Sequence, residues 1–189
     1  MILSKLIPNG QFNNAFEIEE SSELKLASME QSHSDIFIEV DKPGVYQADA
    51  LITKQKNLVL AVKTADCMPI LISDSEKVGV VHIGWRGLEN KIFYKTIANF
   101  DITNLKVSIG PHAQKCCYEI KEDLEVKLSK HCFKQKNKIY LDLTKDIKEF
   151  CKSQKIDLEI NDECTIENEK YNSFRRNKTI KRQLSKVWI

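Results

Sequence analysis

Histidine is scarce in this chain of 189 residues, with four in all: His33, His82, His112 and His131. That count excludes any imidazole-rich metal cluster and leaves room for one small centre at most. Long apolar runs are also missing. None approaches the length that crosses a bilayer, and the opening stretch MILSKLIPNGQF is too short in its apolar part for a signal peptide. A cytoplasmic protein is therefore expected, with no membrane partner. The six cysteines show no CxxC pair and no framework spacing. In a reducing compartment most should be free thiols packed as small hydrophobes. No basic face or stripe is visible either. The net charge is +2 and the Lys and Arg residues are scattered, which argues against a nucleic-acid partner. The Lys-rich stretch from Lys127 to Lys138 reads as a solvated helix end and loop. Neither internal repeats nor low-complexity linkers occur, so one domain over residues 1–189 is expected, with 1–23 a short and weakly patterned start.

What is present is ordinary globular material, 42% hydrophobic and 30% charged, organised around Thr64 to Gly87, TADCMPILISDSEKVGVVHIGWRG. Met68 to Ser73 and Val78 to Ile83 are apolar runs on either side of the turn-like Asp74-Ser75-Glu76-Lys77, which predicts a hairpin. With the turn centred on Ser75 and Glu76, the numbers of facing residues sum to about 151. Cys67 then faces Gly84, and His82 lies diagonally within side-chain reach. A thiol and an imidazole meet beside the turn Gly84-Trp85-Arg86-Gly87.

Elsewhere, Ile36 to Val40, Ala48 to Thr53, Asn57 to Lys63, Lys106 to Ile109, Ile156 to Ile160 and Lys186 to Ile189 read as strands. Asn57 to Lys63 is apolar enough to be covered on both faces. Asp41 to Val45 reads as a turn, and His112 to Glu119 and Ser173 to Arg182 as loops. Helices are predicted over Leu88 to Phe100, Glu122 to Cys132 and Thr144 to Ser153, the last capped by the Thr144 hydroxyl. Strands followed by helices alternating with strands predict an α+β, layered fold: a mixed β-sheet core with flanking helices.

Cys67, His82 and one further imidazole would make a three-ligand centre. Two His and one Cys with a fourth position open is a catalytic zinc arrangement, and its water would be acidified towards neutrality. Two other readings share the pair. Cys67 as nucleophile with His82 as base needs an orienting carboxylate, Asp66 or Asp49. A buried thiol at the end of a core strand needs nothing more, and from spacing alone it is the better reading. Arg86, between two glycines at a helix start, suits phosphate or carboxylate, or else an exposed guanidinium stacked on Trp85. His112 reads as a solvated loop residue and His131 as structural. Arg175-Arg176 reads as a surface charge pair, and Cys116-Cys117 as two free thiols that point apart.

TADCMPILI, VVHIGWRGL, SIGP followed by CCYEI, and the C-terminal CT…SFRR…RQLSKVWI resemble the YfiH family, also called laccase-domain proteins and purine nucleoside phosphorylases. QADALIT and Gln31-x-His33 match its upstream pattern, so the resemblance spans roughly residues 29–189. It implies a layered α/β fold and a Zn2+ site of His33, Cys67 and His82. It implies phosphorolysis of adenosine, inosine, guanosine and S-methyl-5'-thioadenosine, with adenosine deamination besides. Arg86 is then the candidate for phosphate, with Cys67 and His82 in the catalytic centre and Gln31 and Asp49 as supporting or substrate groups. Nucleoside and phosphate are the expected partners, and a monomer is expected. The chain departs from the family in its short N-terminal segment, in Ile83 before GWRG, in Phe174 where Tyr is common and in Lys181 where Gly is common. A metal-independent Cys–His hydrolase or amidase acting on cell-wall precursors is the enzyme alternative, and a non-catalytic binding module the other. Polyphenol oxidation is set aside, because four imidazoles cannot build a multicopper cluster.

Overall fold

A computed structural model describes residues 1–13 and 25–189. Part of the weakly patterned start, residues 14–24, therefore lies outside the described residues. Two six-stranded sheets pack face to face. The first runs β1 (Ile2–Leu3), β2 (Gln11–Asn13), β15 (Gln183–Val187), β7 (Leu58–Thr64), β3 (Lys25–Met29) and β5 (Gly44–Tyr46). The second runs β14 (Asp157–Ile160), β10 (Lys106–Ile109), β8 (Met68–Ser73), β9 (Val78–Ile83), β6 (Ala50–Thr53) and β4 (Phe37–Glu39). A small third sheet joins β11 (Glu119–Ile120), β13 (Lys138–Leu141) and β12 (Cys132–Gln135). Both large sheets are mixed: β3–β5, β3–β7, β4–β6 and β10–β14 are parallel, and the other pairs antiparallel.

Alternation along the strands explains the layering. Leu51, Leu71, Val78 and Val80 of the second sheet meet Ala27, Met29, Leu58, Leu60, Val62 and Val187 of the first. Ile52, Ile70, Ile72, Val81 and Ile83 point the other way. They are covered by α1 (Trp85–Glu89), α2 (Ile92–Ile97) and α4 (Lys145–Gln154), with α3 (Glu122–Lys127) beside them. Each such side chain contributes roughly 1.5–3 kcal/mol on burial, so β8–β9 is a rigid two-faced support. Its register pairs Met68 with Ile83 and Ser73 with Val78, as the turn-centred count predicts. Asp74 Oδ1 closes the turn by accepting from Glu76 N at 2.8 Å and Lys77 N at 2.7 Å.

Several elements differ from expectation. The N-terminal residues are structured: Phe12 is buried, and β2 pairs with β15. The predicted helix over Leu88 to Phe100 starts at Trp85 and breaks at Lys91 (φ 59°). That break lets Leu88 on one side and Ile92 and Phe93 on the other reach the same core. The helix predicted to reach Cys132 ends at Lys127, and Cys132 opens a strand. The supposed solvated loop beyond it is a hairpin turning at Lys136 and Asn137, both with positive φ. Thr144 precedes α4 without capping it, because its hydroxyl donates to Asp142 Oδ1 at 2.8 Å. The basic loop carries a one-turn helix, α5 (Phe174–Asn177), capped by Ser173.

Candidate metal centre and substrate cleft

The open end of the β8–β9 hairpin carries the chemistry. His82 continues the row of Val78 and Val80, and Asp49 continues the row of Leu51 on neighbouring β6, so both point into the space between the sheets. There the apolar filling stops. Asp49 is fully buried and accepts from His82 Nδ1 at 2.7 Å. It also accepts from His33 N (3.1 Å), Ser32 N (3.3 Å), Ser34 N (2.6 Å) and Ser34 Oγ (2.6 Å). One carboxylate thus fixes the tautomer of one histidine and the loop that carries the other. Desolvation opposes its charge, but the bonds from His82 and Ser34 outweigh that and hold Asp49 down to about 2.

His33 sits in the left-handed region at φ 62° and Asp66, just before Cys67, at φ 84°. Such geometry costs on the order of 1 kcal/mol or more per residue and needs outside support. For His33 the support is Asp49. For Asp66 it is Thr165 Oγ1, donating at 2.8 Å, and Arg175 N, donating at 2.6 Å. The outcome is a compact trio. Ligand atoms of His33, Cys67 and His82 lie within 4.8 Å of one another, with Cys67 Sγ 3.6 Å from His33 Nε2. The imidazole rings meet edge to face at 4.8 Å between centroids. Burial would push the Cys67 thiol up, but the charge of His82 and the bond from His33 bring it to about 6. Burial likewise disfavours charged His82, and the Cys67 thiolate and Asp49 reverse this, raising it to about 9. Gly84 closes the trio from behind. A Cβ there would stand 3.0 Å from Cys67 Sγ and 3.0 Å from His33 Cδ2.

This donor set fits zinc. One soft thiolate and two imidazoles, a carboxylate behind His82 and a face open to a cleft are the parts of a three-ligand catalytic site. The cleft holds about 530 Å3, within the range of small-molecule sites. Trp85, Tyr118 and Phe174 line it together with Gln31, Lys63, Asp66, Arg175 and Arg182.

Arg86 is not among the cleft-lining residues. It is exposed, with its guanidinium 4.3 Å over the Trp85 ring, because the first turn of α1 points it away from the hairpin mouth. Gln31 lines the cleft, but its amide is engaged with β7, donating to Lys63 O at 2.7 Å and accepting from Lys63 N at 2.9 Å. Asp49 is sealed from the cleft by its five donors. Arg175 faces the cleft with its guanidinium 4.0 Å over Tyr118. Arg176 turns inward and holds the carbonyls of Thr165, Ile166 and Tyr171. His112 is buried rather than solvated, and His131 meets Asp146 at 3.0 Å. Arg182 opens the RQLSKVWI motif, but no role was read for it in the sequence. Its single signal was position, in the basic loop that returns the chain to β15.

A family model described as multi-copper polyphenol oxidoreductase laccase matches residues 11–189. A purine nucleoside phosphorylase of Aquifex aeolicus is 34% identical over 169 residues, covering 84% of this chain and 80% of that protein. One of Clostridium acetobutylicum is 33% identical over 174 residues, covering 83% and 74%. Among solved structures, a Neisseria meningitidis protein aligns with a TM-score of 0.78 at 24% identity over 88% of this chain and 75% of that one. The YfiH protein of Bacillus licheniformis gives 0.78 at 22% identity over 87% and 74%. The two structures share the fold of this chain. The sequence matches carry the assignment further: this chain belongs to the multi-copper polyphenol oxidoreductase laccase family, the YfiH family that its motifs resemble.

Proposed function

We propose that this protein is a zinc-dependent purine nucleoside phosphorylase that also deaminates adenosine, acting on adenosine, inosine, guanosine and S-methyl-5'-thioadenosine. The observation that carries the reading is the juxtaposition of the His33–Cys67–His82 trio with a cleft lined by aromatic rings and cations. The names of the relatives from Aquifex aeolicus and Clostridium acetobutylicum point the same way. Two imidazoles in the trio are too few for a multicopper centre. His33, Cys67 and His82 would hold the zinc, which when bound supplies a Lewis acid and an acidified water.

The chain's own groups do the rest. Trp85, Tyr118 and Phe174 offer faces for a purine. Arg175 and Arg182 offer the forked donors that suit phosphate, a role that falls to them because Arg86 lies outside the cleft. In phosphorolysis a phosphate oxygen bonds to the ribose C1' as the C1'–N9 bond breaks. The electron pair leaves with the base, and the guanidinium groups hold the attacking anion in line. Asp49 keeps His82 in the Nδ1–H tautomer throughout. A thiolate ligand suits the reducing conditions of the cytoplasm, and the protein is read as a monomer working there.

A second reading rests on the Cys67–His82–Asp49 chain, in which a thiolate, an imidazole and an orienting carboxylate could serve an amidase without metal. Product analysis separates the two. Zinc-loaded protein incubated with adenosine and phosphate should yield adenine and ribose 1-phosphate. Without phosphate it should yield inosine alone. Zinc-replete protein that turns over no nucleoside would remove the proposal, and amidase activity that survives chelation would favour the second reading.

A further inference from the structure

A second group of side chains able to hold a metal lies beside the cleft, next to Tyr118 of its lining. Cys116, Cys117, Cys164 and Glu167 bring three sulfurs and a carboxylate oxygen to within 4.8 Å of one another. The local backbone is responsible. Residues 114–118 form a turn in which Cys117 N and Tyr118 N both donate to Gln114 O at 3.0 Å. Neighbouring thiols, which would diverge in an extended segment, are therefore turned to one side, with Sγ atoms 3.1 Å apart. A second turn, closed by Asn168 N donating to Cys164 O at 2.9 Å, presents Cys164 and Glu167 to the first. Glu167 Oε2 lies 3.4 Å from Cys116 Sγ, and Cys164 Sγ accepts from Gln114 N at 3.5 Å.

The exposure of the four residues is graded. Cys164 is buried, Cys117 half-buried, and Cys116 and Glu167 exposed, so the group has a floor and an open side. Burial first pushes the Cys116 thiol up to about 11, with Cys164 adding to it and the bond from Cys117 opposing it, and burial with the neighbouring sulfurs pushes the Cys117 thiol up as well. The four side chains that meet here are three thiols and a carboxylate, with no cation among them.

We propose that Cys116, Cys117, Cys164 and Glu167 form a second metal site, which takes one zinc ion through three thiolates and one carboxylate. Four protein ligands leave no open position, so the site is structural. It pins the 114–118 turn to the 164–168 turn, which otherwise meet through the short parallel bridge of His112 with Cys164 and the bond from Thr165 N to His112 O at 3.1 Å. Both turns abut the cleft. Tyr118 follows Cys117 and lines it. Thr165 follows Cys164 and donates to Asp66, the neighbour of Cys67. A zinc at this corner braces the wall against which the substrate would lie.

The test uses the full chain with Cys67→Ala, which removes a ligand of the first centre and leaves the second intact. After zinc loading and removal of excess, this variant should retain one zinc per chain by elemental analysis. Cadmium titration of the same variant should raise a thiolate-to-metal charge-transfer band that saturates at one equivalent. Adding Cys116→Ser and Glu167→Ala, both at exposed positions, should abolish the zinc and the band. In the otherwise wild-type chain the same pair of substitutions should leave one zinc, held by the first centre. A Cys67→Ala protein that retains no zinc and shows no cadmium band would overturn the proposal. So would a Cys116–Cys117 disulfide in freshly purified protein, seen as an intact mass two hydrogens light and located by peptide mapping.

Discussion

Asp49→Asn is the substitution that tests the trio most severely, because it keeps the shape while removing the negative charge and replacing one acceptor oxygen by a donor. The carboxylate accepts five hydrogen bonds, two at Oδ1 (His33 N, His82 Nδ1) and three at Oδ2 (Ser32 N, Ser34 N, Ser34 Oγ). Asparagine has one carbonyl. With its amide on the Oδ2 side it faces the N–H groups of Ser32 and Ser34. On the other side it faces His33 N–H and His82. Either way two donors lose their acceptor, at roughly 1–3 kcal/mol for each that stays buried. The second orientation has a further consequence. His82 Nδ1 must then accept, so the ring proton moves to Nε2 and masks the atom that faces Cys67. Disruption of a carboxylate–histidine partner typically lowers metal affinity 10–100-fold, which is about 1.4–2.8 kcal/mol. Competition against a chromophoric chelator near neutral pH should show this loss, and 15N spectra of His82 should show the tautomer change. Unchanged zinc affinity in the folded Asp49→Asn variant, with His82 still Nδ1–H, would refute the argument.

Gly84→Ala should act on the same centre by sterics alone. The backbone at Gly84 (φ −96°) suits any residue, but the new Cβ would lie 3.0 Å from both Cys67 Sγ and His33 Cδ2. Chelator competition should show zinc affinity falling about tenfold or more, while thermal stability without metal moves by no more than about 1 kcal/mol. His112 gives a pH prediction. Burial holds it neutral and depresses it to about 4, against the partial support of the Gly110 carbonyl. The unfolded chain takes up this proton first, so the contribution to stability is complete above about 6.5 and is lost as pH falls towards 4. The total is about 3 kcal/mol. In His112→Asn, whose amide can still donate to Gly110 O, urea unfolding of metal-free protein should show a correspondingly shallower loss of stability over that window. Identical pH slopes in the two proteins would remove the argument.

The strongest signals in the sequence were those set by a period and a turn. The apolar runs around Asp74-Ser75-Glu76-Lys77 defined the β8–β9 register to the residue, because a slip of one would turn Ile70 and Val81 to the wrong face. Asn57 to Lys63 read as a strand covered on both faces, and Leu58 to Val62 are buried. What escaped were strands whose apolar face is short and whose turns use unusual residues. Ile2–Leu3 and Gln11–Asn13 are edge pieces with one or two apolar residues each. The first pairs with the second and the second with β15 at the far end of the chain, and no local pattern announces it. The β12–β13 turn adopts positive φ at Lys136 and Asn137, where Asn-Gly or Asp-Gly would have been recognised. Its lysines read as a solvated helix end instead. The layered fold with a mixed β-sheet core and flanking helices is the one expected, and what escaped within it were β3, whose stretch carries no clear strand pattern, and β5, which overlaps the segment Asp41 to Val45 read as a turn.

The centre was legible for the same reason as the hairpin, and unevenly. A register that sums correctly brings Cys67 beside Gly84 and His82, so that pair followed from strand geometry. His33 did not, since its loop is held by Asp49 across 16 residues of sequence, and only the resemblance supplied it. Arg86 shows the limit of reasoning from a motif. Its flanking glycines mark a helix start, yet which way a first-turn side chain points depends on helix phase, and here the phase delivers it to Trp85. Besides Lys63 of β7, the cations that line the cleft, Arg175 and Arg182, come from the return loop before β15. That loop is placed by Arg176, whose guanidinium is locked to four backbone carbonyls. Adjacent arginines thus divide the work. Arg176 commits its guanidinium to backbone carbonyls, whereas Arg175 makes one such bond, to Glu119 O at 2.6 Å, and stacks over Tyr118 at the cleft, and nothing in the composition of an Arg-Arg pair distinguishes the one from the other.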